Sequence, residues 1–359
     1  MSALRVICPG LGQECRCRET LSAALEGEPV RYTRRLTRPL QNERLLFVVT
    51  LEETGLSRPY YSLLGFLRSH PDCLAGCTAG IVVDGRGDLY TKSTARELAL
   101  AISAAGCTLV GRPLVEATGS LRNFTVQAKN ASCSLKEAYV IAVRDLARRV
   151  ASFSPPRAAR PKLAVLHASS HRTSNTMALW SHLREQLSPC CDIREIALRN
   201  GTLEDCAGCP YTMCLHFGEK GSCFYGGVMV QEVYPALRGA DCVVLLCPNY
   251  NDALSANLTA CINRLTALYR TTPFTGKAVY AVAVSGYSGG DIIAQQLISA
   301  LGMNKGFYLP PRFCLMETAN DAGTAIHLPG IEERLREFAG RIRRQLCAAE
   351  STSHTVPLQ

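Results

Sequence analysis

Four cysteines lie close together in the segment DCAGCPYTMCLHFGEKGSC, which spans residues 205–223. Their spacing is C-x2-C-x4-C-x8-C, formed by Cys206, Cys209, Cys214 and Cys223. Four thiolates are a donor set that both iron-sulfur clusters and tetrahedral zinc use. The segment therefore has three interpretations: a [4Fe–4S] cluster, a zinc ion with His216 as a spare ligand, or no metal, with a redox-active pair or plain packing instead.

A second chemical feature is the polar loop ASSHRTSNT at residues 168–176. It follows the apolar run LAVLH and precedes an amphipathic helix, and eight of its nine residues carry side-chain hydrogen-bond donors. A loop of this kind at a helix N-terminus combines free backbone N–H groups, a favourable dipole and neutral donors. One Ser or Asn would suffice to cap the helix, so the longer run of donors predicts a phosphate site.

Two more loops follow apolar runs in the same half of the chain. PNYNDALSAN (248–257) offers an aromatic ring and amides, and SGYSGGD (285–291) has three glycines, which let a ligand approach the backbone closely. Ligands of doubly wound sheets bind beyond the carboxyl ends of the strands. We therefore expect these loops to hold a flat heterocycle beside the predicted phosphate site.

The elements that position these loops are repeated within the chain. Residues 76–118 run parallel to 276–318, at an offset of about 200 residues, and 44–68 run parallel to 241–265. Each segment contains a continuous apolar run, a polar loop and an amphipathic helix, a succession typical of parallel strands covered on both faces. The pattern predicts an α/β fold with two doubly wound, parallel five-stranded sheets in tandem, each a three-layer α/β/α sandwich.

The repeat also predicts the element positions and the domain boundaries. The predicted strands are 4–8, 30–35, 45–50, 80–84 and 108–112 in the first half and 162–167, 192–197, 241–248, 278–285 and 305–310 in the second, with last helices near 135–150 and 331–346. We predict domains at 1–152 and 162–347, a proline-rich linker at 153–161, a cysteine-rich insertion at 205–227 and a disordered tail at 348–359.

Composition narrows the classes of protein. The 359 residues are 47% hydrophobic and 19% charged, with a net charge of +9 spread over the chain rather than in a block. We expect no nucleic-acid partner and no membrane span, and the absence of a recognisable secretory signal predicts a cytoplasmic protein. Outside the cluster, most of the 18 cysteines lie singly in apolar runs, as reduced buried thiols do.

The three loops together resemble a known family. ASSHRTSNT resembles the phosphate loop of NADPH-dependent FMN reductases and iron-sulfur flavoproteins, which are flavodoxin-like proteins. CPNYNDALSANLTACINRL resembles the loop and helix that border their flavin ring, and DCAGCPYTMC with GSC resembles their cysteine segment. The resemblance covers about residues 160–345, and the internal repeat then indicates a tandem duplication whose first copy is degenerate.

The resemblance implies FMN as cofactor and NAD(P)H as co-substrate, with roles for individual residues. The phosphate would contact Ser169, Arg172, Ser174, Asn175 and Thr176. The ring would contact Pro248, Asn249, Tyr250 and Asn251 on one side and Ser285, Gly286 and Tyr287 on the other. Tyr250 is the candidate catalytic side chain beside the ring. The four cysteines are the candidate metal ligands, although iron-sulfur flavoproteins space theirs more tightly, as C-x2-C-x2-C.

The first half lacks the run of hydroxyls, and Glu52 and Glu53 occupy its third-strand loop, where they would repel a phosphate. We therefore expect no FMN there. The resemblance to a family that commonly pairs two subunits across the flavin implies that the first half is a built-in partner in an intramolecular pseudo-dimer; a homo-oligomer stays open. The predicted function is an FMN-dependent oxidoreductase that passes electrons from NAD(P)H to a small acceptor such as a quinone, a nitro compound or a flavin. The alternatives are an electron-transfer iron-sulfur flavoprotein fed by a protein donor and a non-enzymatic flavodoxin-like binding protein.

Overall fold

A computed structural model describes residues 3–12, 15–169, 174–269 and 271–348. In the first half the strands are β1 Leu4–Ile7, β2 Val30–Thr33, β3 Arg44–Leu51, β4 Thr78–Gly85 and β5 Thr108–Ala117. The helices of this half are α1 Arg16–Ala24, α2 Arg58–Ser69, α3 Thr91–Ala104, α4 Thr125–Ala131 and α5 Leu135–Ser152.

In the second half the strands are β6 Lys162–His167, β7 Asp192–Ala197, β8 Cys242–Pro248, β9 Ala278–Ser285 and β10 Cys314–Thr318. Its helices are α6 Asn175–Leu187, α7 Tyr211–Glu219, α8 Tyr234–Gly239, α9 Ala256–Leu268, α10 Gly290–Leu297 and α11 Ile331–Leu346. A π-helical segment, Met229–Val233, leads into α8, and another, Ile298–Met303, continues α10.

Both sheets are five-stranded and parallel throughout. Their strand orders are β2-β1-β3-β4-β5 and β7-β6-β8-β9-β10, which is the flavodoxin-like order in each case. The prediction of two such sheets in tandem is confirmed. The halves differ most between their second and third strands, which are separated by residues 34–43 in the first half and 198–241 in the second.

The alternation of side chains along each strand explains why helices cover both faces of a sheet. In β3, Leu46 and Val48 are buried in a cluster with residues of α1 and α5, whereas Phe47 and Val49 are buried in a second cluster with α2 and α3. That second cluster continues into the second half, where it includes Leu309. The two halves therefore share this second cluster, whereas the cluster with α1 and α5 belongs to the first half alone.

One predicted strand is wrong. The fifth strand of the second sheet is β10 at Cys314–Thr318, not 305–310. Phe307, Tyr308 and Leu309 are fully buried, so the apolar run resembles a strand, but only isolated bridges form there: Tyr308 pairs with Ala278 and Leu309 with the first half. The run is apolar because it packs at the junction between the halves.

The two halves pair at equivalent positions of the repeat. The backbone N–H of Leu109 donates to the carbonyl of Leu309 at 2.9 Å, and the N–H of Leu309 donates back to Leu109 at 2.9 Å. In each half the chain bulges next to this pair, and the bulge contains an arginine with positive φ: Arg112 at 52° and Arg312 at 48°. The start of β5 thus pairs with the 305–310 run of the second half.

The predicted linker and tail lie next to each other. The N–H of Ala158 donates to the carbonyl of Leu346, and the N–H of Ala348 donates to Ala158, both at 2.9 Å. Beyond Ala348, the tail predicted to be disordered lies outside the described residues. Within the described ranges, every helix is too short or too polar to cross a membrane.

Replacing Gly111 should destabilise the junction between the halves. A Cβ at this position would lie 2.3 Å from the carbonyl oxygen of Gly306 and 2.9 Å from Cα of Thr275, and neither backbone atom can move cheaply. We expect Gly111→Ala to lower the free energy of unfolding by about 1–3 kcal/mol in urea titrations.

Gly65→Ala is the matched control, because a Cβ on this residue of α2 meets no atom within 4 Å. Alanine should raise the stability there by about 0.5–1 kcal/mol, through its better helix propensity. Equal unfolding curves for Gly111→Ala and the wild type would contradict the packing described for the junction.

Candidate functional site

The candidate site lies at the carboxyl ends of β6 and β8, which are adjacent in the sheet although they are the first and third strands of their half. The chain leaves these two strands toward opposite faces, because their crossover helices cover opposite sides of the sheet. A crevice opens where the connections diverge, and flavodoxin-like folds bind FMN at this switch point. The polar loop after β6 and the loops after β8 and β9 all begin at this edge.

The loop after β6 brings three hydroxyl groups together at the start of α6. Ser174 is the N-cap, and its Oγ accepts a hydrogen bond from the N–H of Met177. The Oγ1 of Thr176 lies 2.7 Å from the Oγ of Ser174 and 3.3 Å from the Oγ of Ser169. Thr176 is 1% exposed, so this cluster is rigidly placed at the positive end of the helix dipole.

Asn175 and Arg172 were also predicted to contact the phosphate, but the structure does not show either of them as part of this hydroxyl cluster. The side chain of Asn175 points to the loop after β10: its Nδ2 donates to the carbonyls of Ala319 and Asp321, and its Oδ1 accepts from the N–H of Ala325. Asn175 therefore ties the loop after β10 to the start of α6. Arg172 lies outside the described residues.

The loop after β8 is anchored by Asn249 and then turns sharply. The Nδ2 of Asn249 donates to the Oγ of Ser285 and the carbonyl of Ser288, both at 3.1 Å, which joins the loops after β8 and β9. Asn251 and Asp252 have φ values of 53° and 56°, the values that a type I′ turn requires. This turn leaves the ring of Tyr250 58% exposed at the edge, one residue beyond Asn249 and two beyond Pro248.

The loop after β9 lies directly beside that turn. Ser285 is 1% exposed, and it is followed by Gly286 and by Tyr287, whose ring is 84% exposed. Gly289 has a φ of 92°, and a Cβ there would lie 2.3 Å from the Oδ1 of Asp252. Glycine is therefore required for the two loops to pack together. Tyr250 and Tyr287 are exposed aromatic rings on adjoining loops of one sheet edge.

The residues at this edge fit a flavin mononucleotide. The hydroxyl cluster at the N-terminus of α6 is a neutral donor set of the kind that binds a phosphate. The Oδ1 of Asn249 is buried and accepts no hydrogen bond from any described residue. A buried acceptor without a donor is uncommon in native proteins, and it matches a ligand that carries an N–H group, as the isoalloxazine ring does.

The four clustered cysteines line one cavity, of about 240 Å³, next to α9. Tyr211, Phe217, Phe224 and Tyr225 supply most of its apolar wall. Arg264 of α9 also lines it and is only 3% exposed, and its Nε has no hydrogen-bond partner among the described residues. A buried guanidinium favours anionic neighbours, so it would stabilise thiolates in this cavity.

The arrangement of these thiols bears on which metal they suit. Tetrahedral zinc with Zn–S bonds of about 2.3 Å places its sulfur ligands about 3.8 Å apart. In the described part of the chain, no three of the four cysteine thiols lie within 4.8 Å of one another, and the imidazole of His216 contacts Lys220 instead. The cysteines are thus not arranged for a single zinc ion. A [4Fe–4S] cluster stays a prediction.

Sequence reasoning missed one group of thiols. The sulfur atoms of Cys190, Cys191 and Cys347 all lie within 4.8 Å of one another, although Cys347 is far away in the sequence. The adjacent pair of cysteines was the available signal. Burial raises the pKa of Cys191 and of Cys347, so these thiols stay protonated at neutral pH. The isolated cysteines behave similarly: burial raises the pKa of Cys261 to about 12.

The equivalent edge of the first sheet has a different chemistry. Arg16 begins α1, and its guanidinium donates to both carboxylate oxygens of Asp84 and to the carbonyls of Gly85 and Gly119. An arginine and its bound carboxylate therefore stand where the second half has hydroxyls. Glu52 and Glu53 line the same cavity, of about 570 Å³. These charges support the hypothesis that this half binds no FMN.

The second sheet and its helices form a doubly wound, flavodoxin-like domain. Residues 161–321 match the family model described as NADPH-dependent FMN reductase. This match confirms the resemblance inferred from the loops of the second half. The match ends short of α11 and leaves out the first half.

Three solved structures illustrate what the chain is similar to. An FMN-dependent NADH-azoreductase from Bacillus anthracis, solved in complex with FMN, is 13% identical, with 51% of this chain and 99% of that chain covered, at a TM-score of 0.36. An NAD(P)H:quinone oxidoreductase from Methanothermobacter marburgensis is 16% identical, with 52% of this chain and 95% of that chain covered, at a TM-score of 0.37. A flavoenzyme NAD(P)H:(acceptor) oxidoreductase from Paracoccus denitrificans is 14% identical, with 52% of this chain and 98% of that chain covered, at a TM-score of 0.32. Among the curated proteins, none matches.

Replacing Thr176 by valine should weaken FMN binding. The change keeps the shape of the side chain and removes the hydroxyl that lies between Ser169 and Ser174. We expect about tenfold weaker binding of FMN, measured by quenching of flavin fluorescence, and a loss of about 1 kcal/mol in stability.

Ser181→Ala is the control for this variant. Ser181 lies on the same helix, but its hydroxyl only donates to the carbonyl of Met177 within that helix. Its FMN affinity should equal that of the wild type. Wild-type affinity in Thr176→Val would show that the hydroxyl cluster does not contact the phosphate.

Proposed function

We propose that this protein is an FMN-dependent oxidoreductase that takes electrons from NAD(P)H and passes them to a small organic acceptor. The observation that carries the proposal is the cluster of Ser169, Ser174 and Thr176 hydroxyls at the N-terminus of α6, located at the switch point of the second sheet. The match of residues 161–321 to the family model described as NADPH-dependent FMN reductase supports it.

The chain's own residues would bind and orient the cofactor rather than exchange protons with the substrate. FMN, when bound, supplies the hydride-transfer chemistry. The hydroxyl cluster would hold its phosphate, and Asn249 would accept a hydrogen bond from the ring through its buried Oδ1. Ser285 and Gly286 would border the ring from the loop after β9, with Pro248 and Asn251 on the side of β8.

The exposed rings of Tyr250 and Tyr287 favour an aromatic or otherwise planar acceptor. Each ring lies more than half exposed on a loop whose backbone is fixed by hydrogen bonds to neighbouring strands. Planar π-systems stack on aromatic side chains, and such contacts add about 0.5–1.5 kcal/mol beyond the area they bury. Quinones, nitroaromatics and free flavins are planar, and we propose this class as the acceptor.

A second candidate function is electron transfer through a [4Fe–4S] cluster bound by Cys206, Cys209, Cys214 and Cys223. The favouring observation is that all four cysteines line one cavity beside the buried guanidinium of Arg264. The cavity contacts residues 263–267, about two turns along α9 from the end that faces the flavin loop, a distance of roughly 10 Å. In this case a reduced iron-sulfur protein would be the electron donor.

The two functions differ in which donor reduces the cofactor. In anaerobic samples loaded with FMN, we expect NADPH or NADH to bleach the visible absorbance of the flavin rapidly, and addition of a quinone to restore it. An iron assay on the protein as purified is measured in parallel.

Bleaching by a reduced iron-sulfur protein alone, together with about four iron atoms per chain, would support the second function instead. If neither donor bleached an FMN that is demonstrably bound, both redox functions would be contradicted, and the non-enzymatic binding protein would remain.

A further inference from the structure

A cavity of about 430 Å³ lies between the two halves, on the opposite side of the sheets from the flavin loops. Gly76 and Gly106 line it from the first half, just before β4 and β5 begin, and Tyr280 lines it from near the start of β9. Helix α11 contributes three charged residues to its wall, Glu337, Arg341 and Arg344. The cavity is therefore at the amino-terminal edges of the strands, where neither the flavin nor its acceptor is expected.

The charged side chains of the cavity carry an excess of positive charge. Three arginines, Arg312, Arg341 and Arg344, face two carboxylates, Asp72 and Glu337. Arg312 pairs with Asp72 of the first half at 2.9 Å, and Arg341 lies 3.5 Å from Glu337. Arg344 makes no ion pair with any residue that the structure describes. Arg344 is thus the cation of the cavity wall that no described carboxylate pairs with.

The same wall contains buried donors without an acceptor among the described residues, including those of Tyr280 and Arg341. Tyr280 is fully buried, and its hydroxyl forms no hydrogen bond within the described ranges. The Nε of Arg341 is also buried without a partner there. A buried donor without an acceptor destabilises the fold, so such groups in native proteins usually indicate a bound water, ion or ligand.

The environment of Arg341 points to an anion in particular. Burial lowers the pKa of Arg341, and the charges of Arg312 and Arg344 lower it further, against the opposite effects of Glu337 and Tyr280. The guanidinium also lies 5.6 Å from the ring centroid of Phe338. An oxyanion would reduce the repulsion between these arginines and would accept hydrogen bonds from the unpartnered donors. A neutral water molecule could accept the hydrogen bonds but would not offset the charge.

We propose that this cavity binds a small organic molecule that carries an oxyanion, either a phosphate ester or a carboxylate. Its volume falls within the roughly 300–1,000 Å³ of typical ligand pockets and exceeds what a bare ion needs. Arg344, Arg341 and the Tyr280 hydroxyl contact the oxyanion. The wall contains residues of both halves, so the ligand bridges the junction and stabilises the folded chain by mass action.

The test uses the full chain and measures both thermal unfolding and calorimetric binding. The probes are inorganic phosphate, glycerol 3-phosphate and citrate, each compared with sodium chloride at equal ionic strength. We expect glycerol 3-phosphate or citrate to bind and to raise the midpoint of unfolding, and the tighter of the two identifies the phosphate or the carboxylate class.

Variants separate this site from diffuse surface charge and from the flavin loop. Arg344→Ala should weaken binding about tenfold or more, and Tyr280→Phe about threefold. Arg343→Ala is the matched control: it removes the same charge from the adjacent residue of α11, which is exposed as Arg344 is but does not line the cavity. Thr176→Val should leave this binding unchanged.

The proposal is overturned if none of the three probes stabilises the chain beyond sodium chloride. It is also overturned if Arg343→Ala weakens binding as much as Arg344→Ala, or if Thr176→Val abolishes binding, because the anion would then occupy the surface of α11 or the flavin loop. Binding that depends on Arg344 and Tyr280 and not on Arg343 or Thr176 supports it.

Discussion

The divergence of the chain at the carboxyl ends of β6 and β8 is the constraint on which the candidate site depends. Adjacent parallel strands that send their crossovers to opposite faces leave a crevice that no side chain of the sheet itself can fill. The residues around the crevice are then placed by short-range hydrogen bonds: Ser174 to the N-terminus of α6, Asn249 to the loop after β9, and Asn175 to the loop after β10. Four loops that are far apart in sequence become one surface.

The duplication has given its two copies different chemistry on the same backbone. In the second half the switch point has hydroxyls at a helix N-terminus, and in the first half it has Arg16 bound to Asp84. The junction between the copies kept its symmetry, because Leu109 and Leu309 exchange two backbone hydrogen bonds at equivalent positions.

The sequence predicts the sheets well because continuous apolar runs bounded by polar loops are a local signal. Nine of the ten strands begin or end within a few residues of the expected positions. The exception at 305–310 arises from a long-range effect: Phe307 and Leu309 are buried against the first half rather than within a strand. An apolar run indicates that a segment is buried, but it does not indicate which part of the protein the segment packs against.

The site was predictable at the level of loops and less so at the level of atoms. The run of hydroxyls identified the start of α6, but nothing in the sequence shows that Asn175 contacts the loop after β10 or that Asn249 keeps a buried acceptor free. Likewise, Cys347 joins Cys190 and Cys191 only through the tertiary fold. Tyr280, in turn, reads as an ordinary residue of an apolar strand. Such features depend on side-chain directions set by packing.

The most direct test of the central claim is the number of FMN molecules that the full chain binds. The purified protein, at a concentration well above the dissociation constant, is titrated with FMN to saturation, and the bound cofactor is counted against the protein concentration. This account predicts one FMN per chain, at the edge formed by β6, β8 and β9. A chain that binds none would contradict the assignment of the second sheet as the flavin domain, and a chain that binds two would contradict the division of roles between the halves.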